Sequence, residues 1–142
     1  MKSTDPILLA EDDRIDQEAI QRAFSDLKIV NPLVIVQNGQ EALEYLGSAG
    51  NRRPCVILLD LRMPIMSGLE FLEKIKEDKD LKIIPVVVLT TSSSDQDSTR
   101  SFELGAAGCM VKPVDYQKFV EVVRTLHSYW SLSLTPPSSS LM

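Results

Sequence analysis

Five short apolar runs punctuate the chain: Ile7-Leu8-Leu9-Ala10, Leu33-Val34-Ile35-Val36, Val56-Ile57-Leu58-Leu59, Val86-Val87-Val88-Leu89 and Cys109-Met110-Val111. They are rich in leucine and β-branched residues and do not alternate with polar positions. This is the pattern of strands buried on both faces, as in a parallel sheet. Between the runs the apolar spacing becomes that of a helix. Ile20, Ala23, Phe24 and Leu27 share one helical stripe; Gly68, Phe71, Leu72 and Ile75 form a second, and Phe119, Val122, Val123 and Leu126 a third. Asn38 is placed to cap a helix carrying Ala42, Leu43 and Leu46, and Asp115 to cap the last helix. Ser92-Ser93-Ser94-Asp95 reads as a loop leading into the fourth helix.

A strand and then a helix, five times over, predicts an α/β fold: a (βα)5 chain with a doubly wound parallel sheet, right-handed crossovers and helices on both faces. The strand order expected for five strands is the flavodoxin-like 2-1-3-4-5. The folded unit is expected over residues 1–130. Residues 131–142, with Pro136-Pro137 and a serine run, read as a tail with no output domain.

Composition narrows the function class. The chain has 142 residues, 44% hydrophobic and 25% charged, which suits one soluble domain with its own core. Its 15 basic and 20 acidic residues give a formal charge of −5, which argues against a nucleic-acid-binding domain and against adsorption to an anionic membrane. No apolar run approaches the roughly 20 residues of a membrane span, and the N-terminus lacks a secretory signal, so a cytoplasmic location is expected. Cys55 and Cys109 lie inside apolar runs and read as buried thiols in a reducing compartment. The single histidine, His127, excludes a histidine-rich metal site.

The chemistry lies in what ends each run. Glu11-Asp12-Asp13 follow the first, Asp60 the third, Thr90-Thr91 the fourth and Lys112-Pro113 the fifth. In an open α/β sheet the site forms outside the carboxyl ends of the strands, at the switch between strands one and three. Glu11, Asp12 and Asp60 are therefore expected to converge there, flanked by Thr90 and Lys112. Each alone has an ordinary explanation as a cap, a turn or a solvated charge; their arrival at one sheet edge does not. Two carboxylates ~4 Å apart repel by about 4 kcal/mol at an effective dielectric of about 20. Lys112 offsets one charge only, so a hard divalent cation, Mg2+, is the natural complement, bound by carboxylates, water and phosphoryl oxygens. Asp60 then serves as a carboxylate nucleophile that forms an aspartyl phosphate, with Lys112 and the Thr90 hydroxyl contacting the phosphoryl oxygens.

The segments ILLAEDD, LLDLRMP-x-x-SG, IPVVVLTTS and GAAGCMVKP resemble, in order and spacing, the signature segments of two-component response-regulator receiver domains. The resemblance covers about residues 5–130. It implies Asp60 as phosphoacceptor, Glu11 and Asp12 as the acidic pair with Asp12 the direct metal ligand, and the backbone carbonyl of Arg62 as a further ligand. It also implies Thr90 as the switch hydroxyl, Lys112 as the family's lysine, and a cis Lys112–Pro113 bond. Asp13 is read as charge in the first helical turn. NGQEALEYL, DLKIIPVVVLTTSSSDQD and HSYW are similar to stand-alone regulators paired with phytochrome-type kinases, which implies a sensor histidine kinase as partner. Such a protein assists its own phosphorylation and dephosphorylation but is not an enzyme with a separate substrate.

One position departs from the family. Cys109 stands where an aromatic switch residue is usual, and it reads as a small core residue. Arg62 and Ser92 are expected to border the phosphate. Tyr129-Trp130 reads either as a self-association or partner anchor or as closure of the domain's edge. A homodimer through the fourth helix, fifth strand, fifth helix and tail is expected. Three other readings compete: a pseudo-receiver that binds partners without phosphorylation, a flavodoxin-like electron carrier, and an aspartate-dependent phosphatase. The electron carrier is disfavoured because Glu11-Asp12-Asp13 would repel a flavin phosphate; the phosphatase wants an Asp where Arg62 stands.

Overall fold

A computed structural model describes residues 5–90 and 95–132 of the chain. Thr91, Ser92 and residues 133–142 of the expected tail lie outside the described residues, as does the side chain of Tyr129.

Strands β1 (Ile7–Ala10), β2 (Leu33–Val36), β3 (Val56–Leu59), β4 (Val86–Thr90) and β5 (Gly108–Val111) alternate with helices α1 (Arg14–Asp26), α2 (Gly39–Gly47), α3 (Gly68–Lys76), α4 (Asp95–Glu103) and α5 (Tyr116–Leu132). A 3-10 turn, Leu81–Ile83, precedes β4. All strand pairs are parallel and the sheet order is β2-β1-β3-β4-β5, the flavodoxin-like arrangement expected. α5 runs to Leu132, two residues into the stretch read as tail.

Alternate residues of each strand feed opposite faces. Ile7, Leu9, Val56, Leu58, Val87 and Leu89 pack with Ile20, Phe24, Phe119, Val123 and Leu126 of α1 and α5. Leu8, Ala10, Ile57, Leu59, Val86 and Val88 pack with Ala42, Phe71, Leu72 and Ile75 of α2 and α3. Burial on both faces holds for β1, β3 and β4 only. In β2 just Val36 is buried, and β5 is half-buried with Val111 exposed, because each edge strand has a neighbour on one side alone. The expected caps form: Asn38 Oδ1 accepts from Glu41 N at 2.9 Å, and Asp115 Oδ1 from Gln117 N at 2.8 Å.

Trp130 closes the domain. It is 1% exposed, with its ring centroid 6.1 Å from Phe24 and 5.5 Å from His127, so of the two readings of this residue the edge-closing one holds. Its Nε1 is buried without a hydrogen-bond partner.

α4 is attached differently from the other helices. Its large apolar residue, Phe102, is 53% exposed, and its described ties to the body are polar. Arg62 Nη2 meets Asp97 Oδ2 at 3.6 Å, Arg100 meets Glu73 at 4.0 Å, and Ser98 Oγ lies 3.5 Å from Cys109 Sγ. Cys109 is thus half-buried and in contact with α4, beyond the plain core role expected of it.

Candidate functional site

The sheet's hydrogen-bond ladder continues one residue past the strands at the carboxyl edge. Glu11 N donates to Val36 O at 3.0 Å, Asp60 N to Ala10 O at 3.0 Å, and Lys112 N to Thr90 O at 2.7 Å. The backbones of the residues that end β1, β3 and β5 are therefore fixed by the sheet rather than carried on free loops. Gln17 Nε2 adds a bond to the Glu11 carbonyl at 2.6 Å.

The loop after β3 is shaped from below. Gly68 N donates to Leu61 O at 3.0 Å, and Ser67 and Glu70 form a reciprocal capping box at the start of α3. Gly39 N ties the loop to α2 through Met66 O at 3.1 Å. Ile65, a β-branched residue, is held at φ 67°, a costly left-handed conformation of the kind that recurs at functional loops.

The side chains converge as the sequence predicts. Ligand oxygens of Glu11, Asp12 and Asp60 all lie within 4.8 Å of one another. Glu11 and Asp60 are buried and Asp12 is exposed, so the cluster opens to solvent on the Asp12 side. Lys112, with a side chain 5% exposed, reaches Glu11 Oε1 at 2.5 Å and stands 4.0 Å from Asp60 Oδ1. Thr90 is buried at the end of β4, next to Lys112 through the ladder. Arg62 donates its backbone N–H to Asp60, while its side chain turns away to Asp97 of α4.

Three features were not foreseen. Lys112 also bonds Asp16 Oδ2 at 2.8 Å, from the first turn of α1. The available signal was topological: α1 begins at the carboxyl edge of the sheet, so an acid in its first turn lies over the crevice. Second, Glu11 Oε2 accepts from Asp13 N at 3.1 Å, so both oxygens of Glu11 are engaged and Asp12 and Asp60 are the more open to a cation. Third, the Lys112–Pro113 bond is trans, as are all peptide bonds among the described residues, correcting the cis expectation. The trans form is the intrinsically favoured one by roughly 0.5–1 kcal/mol, and from it Lys112 already reaches its carboxylate partners.

Burial dominates the electrostatics of the two enclosed carboxylates. Burial pushes Glu11 up to about 7 despite the hydrogen bond from Lys112. Burial also raises Asp60, with Lys112, Glu11 and the Arg62 N–H opposing. Burial alone would lower Lys112, but its bonds to Asp16 and Glu11 outweigh that and hold it above its ordinary value. An all-oxygen donor set of this kind suits a hard divalent cation such as magnesium or manganese rather than zinc or copper.

The model of the response regulator receiver domain family matches residues 7–124. The response regulator Rcp1 of Synechocystis sp. is 36% identical over 137 residues, 94% of this chain and 93% of Rcp1. The probable methanogenesis regulatory protein FilR2 of Methanothrix harundinacea is 36% identical over 135 residues, 92% of this chain and 87% of that protein. The crystal structure of the phosphorylated cyanobacterial phytochrome response regulator RcpA superposes with a TM-score of 0.87 at 36% identity, covering 95% of this chain and 99% of RcpA. The Mn2+-bound form of Rcp1 superposes with a TM-score of 0.85 at 35% identity, covering 94% and 99%. Family match, full-length relatives and superposition agree: the chain belongs to the response-regulator receiver domain family.

Proposed function

We propose that this receiver accepts a phosphoryl group on Asp60 from the phosphohistidine of a sensor histidine kinase of the phytochrome type. The observation that carries the reading is the convergence of Glu11, Asp12 and Asp60 within 4.8 Å beside Lys112. In the transfer an Asp60 carboxylate oxygen forms the new bond to phosphorus as the phosphorus–nitrogen bond to the kinase imidazole breaks. The imidazole leaves with the electron pair. Lys112 neutralises one phosphoryl oxygen, the Thr90 hydroxyl donates to another, and the ladder fixes the Asp60 backbone at the crevice. Asp12, Asp60 and the Arg62 carbonyl would hold Mg2+, with Glu11 behind them, and that ion would supply the remaining charge neutralisation. The phytochrome-type partner is supported by the likeness to RcpA, named as a phytochrome response regulator.

The kinase's approach is supported by exposed apolar side chains around the crevice. Ile15 of α1 (77% exposed), Ile65 after β3 and Val114 after β5 stand on three loops or helix ends at the same sheet edge. Output is read at α4 and β5, where the ties to the site are few and polar: Arg62–Asp97 links the residue after Asp60's neighbour Leu61 directly to α4. Self-association through α4, β5 and α5 belongs to the same reading, supported by exposed Phe102 and Val111 on that face. Free thiols at Cys55 and Cys109 fit a cytoplasmic setting.

The test is phosphotransfer from a purified phytochrome-type histidine kinase charged with labelled ATP. Label is expected to move to the wild type within the mixing time and to stay on the kinase with Asp60→Asn. Label that reaches Asp60→Asn equally, or reaches neither protein from several such kinases, refutes the reading.

A further inference from the structure

The Lys112 ammonium carries three N–H groups, and two are engaged: by Glu11 Oε1 at 2.5 Å and by Asp16 Oδ2 at 2.8 Å. Asp60 Oδ1 stands at 4.0 Å from the same nitrogen, an ion-pair separation longer than a hydrogen bond. Neither anchor is loose. Glu11 is buried, and its second oxygen is held by the Asp13 N–H at 3.1 Å. Asp16 is set by the start of α1, where Asp13 Oδ1 accepts from Ile15 N at 2.8 Å and Asp16 N at 3.1 Å. With Glu11 alone the ammonium could turn about that one bond. A second acceptor on a different element removes the freedom and fixes where the third N–H points.

We propose that Asp16 is a positioning residue: jointly with Glu11 it holds Lys112 so that the remaining N–H faces the side of Asp60 that receives the phosphoryl group. The inference rests on the phosphoacceptor reading of Asp60 given above. It differs from simple charge balance, which any anion near Lys112 would provide. Orientation needs an acceptor atom at Asp16's place, charged or not.

That difference sets the experiment. Initial rates of phosphorylation by acetyl phosphate are measured by intact-protein mass at saturating Mg2+, for wild type, Asp16→Ala and Asp16→Asn. Asp16→Ala is expected to lower the maximal rate roughly tenfold while the half-saturating acetyl phosphate concentration stays within about twofold. Asp16→Asn keeps an amide oxygen that can accept from Lys112, and it is expected to recover most of the lost rate. Calorimetric Mg2+ affinity is expected to stay within about twofold in both variants, because Asp16 is outside the Glu11–Asp12–Asp60 cluster. If Asp16→Ala does not fold, Asp16→Ser, whose hydroxyl is too short to reach Lys112, takes its place.

A wild-type maximal rate in Asp16→Ala overturns the proposal. So does an Asp16→Asn as slow as Asp16→Ala, which would show a charge effect, or a rate loss matched by lost Mg2+ affinity. A wild type that takes up no phosphoryl group overturns the Asp60 reading and this inference with it; a phosphorylated wild type with an equally fast Asp16→Ala overturns this inference alone.

Discussion

Gly68 lies directly against the backbone of Asp60: a Cβ at residue 68 would sit 2.3 Å from the Asp60 carbonyl oxygen and 2.7 Å from Leu61 Cα. Both neighbours are backbone on the central strand's extension, so neither can yield without moving the candidate phosphoacceptor. Gly68→Ala is therefore expected to cost about 1–3 kcal/mol of stability, as overpacking does. It is also expected to slow phosphorylation of the protein that remains folded. Urea denaturation and acetyl phosphate labelling of one preparation check both.

The elevated Glu11 and Asp60 make stability in metal-free buffer depend on pH with a defined sign. Each holds its proton more tightly folded than unfolded, so within the window the native state binds more protons. Stability then falls as pH rises, from the ordinary carboxylate value of 4.5 through about 7 for Glu11. In EDTA the melting temperature is expected to drop between about pH 5 and about pH 8. Added Mg2+ is expected to restore it most at the higher pH, where the ligands are deprotonated. A melting temperature that rises across that range in EDTA would contradict this.

Ile15 is exposed on the turn of α1 that also carries Asp16, but its side chain makes no part of the acidic cluster. Ile15→Asp is expected to slow phosphotransfer from the kinase roughly tenfold, the effect of losing one apolar anchor in an interface. Phosphorylation by acetyl phosphate, which needs no docking surface, is expected to be unchanged. Parallel time courses with the two donors give the comparison.

Trp130 is buried against Phe24 and His127 at the end of α5. Trp130→Ala is expected to cost about 3–5 kcal/mol, the range for removing a buried aromatic. Trp130→Phe is expected to lose less, since the indole N–H it removes has no hydrogen bond to forfeit. Chemical denaturation of the two variants orders them.

Most of the fold was legible because the runs at Ile7, Val56 and Val86 are buried on both faces and carry no polar residue to confuse their period. The candidate site was legible because Glu11-Asp12, Asp60, Thr90 and Lys112 stand at or just past the ends of the first, third, fourth and fifth runs, and the register of a parallel sheet brings strand ends to one edge. What escaped depended on directions that a sequence does not record. Asp16 reads as a first-turn charge like any other until the start of α1 is placed over Lys112. Trp130 could face outward or inward until α5 packed on α1. The full burial read for all five runs failed at β2 and β5, whose edge positions follow from strand order and not from their own composition. Cys109 carried no sign of its partner, because Ser98 reaches it from a helix whose only large apolar residue points to solvent.

The central claim is that Asp60 receives a phosphoryl group, and intact mass after incubation with acetyl phosphate and Mg2+ tests it most directly. The wild type is expected to gain about 80 Da, to lose the gain when EDTA replaces Mg2+ during labelling, and Asp60→Asn is expected to gain nothing. A wild type that remains at its starting mass, or an Asp60→Asn protein that gains the same increment, would contradict the account.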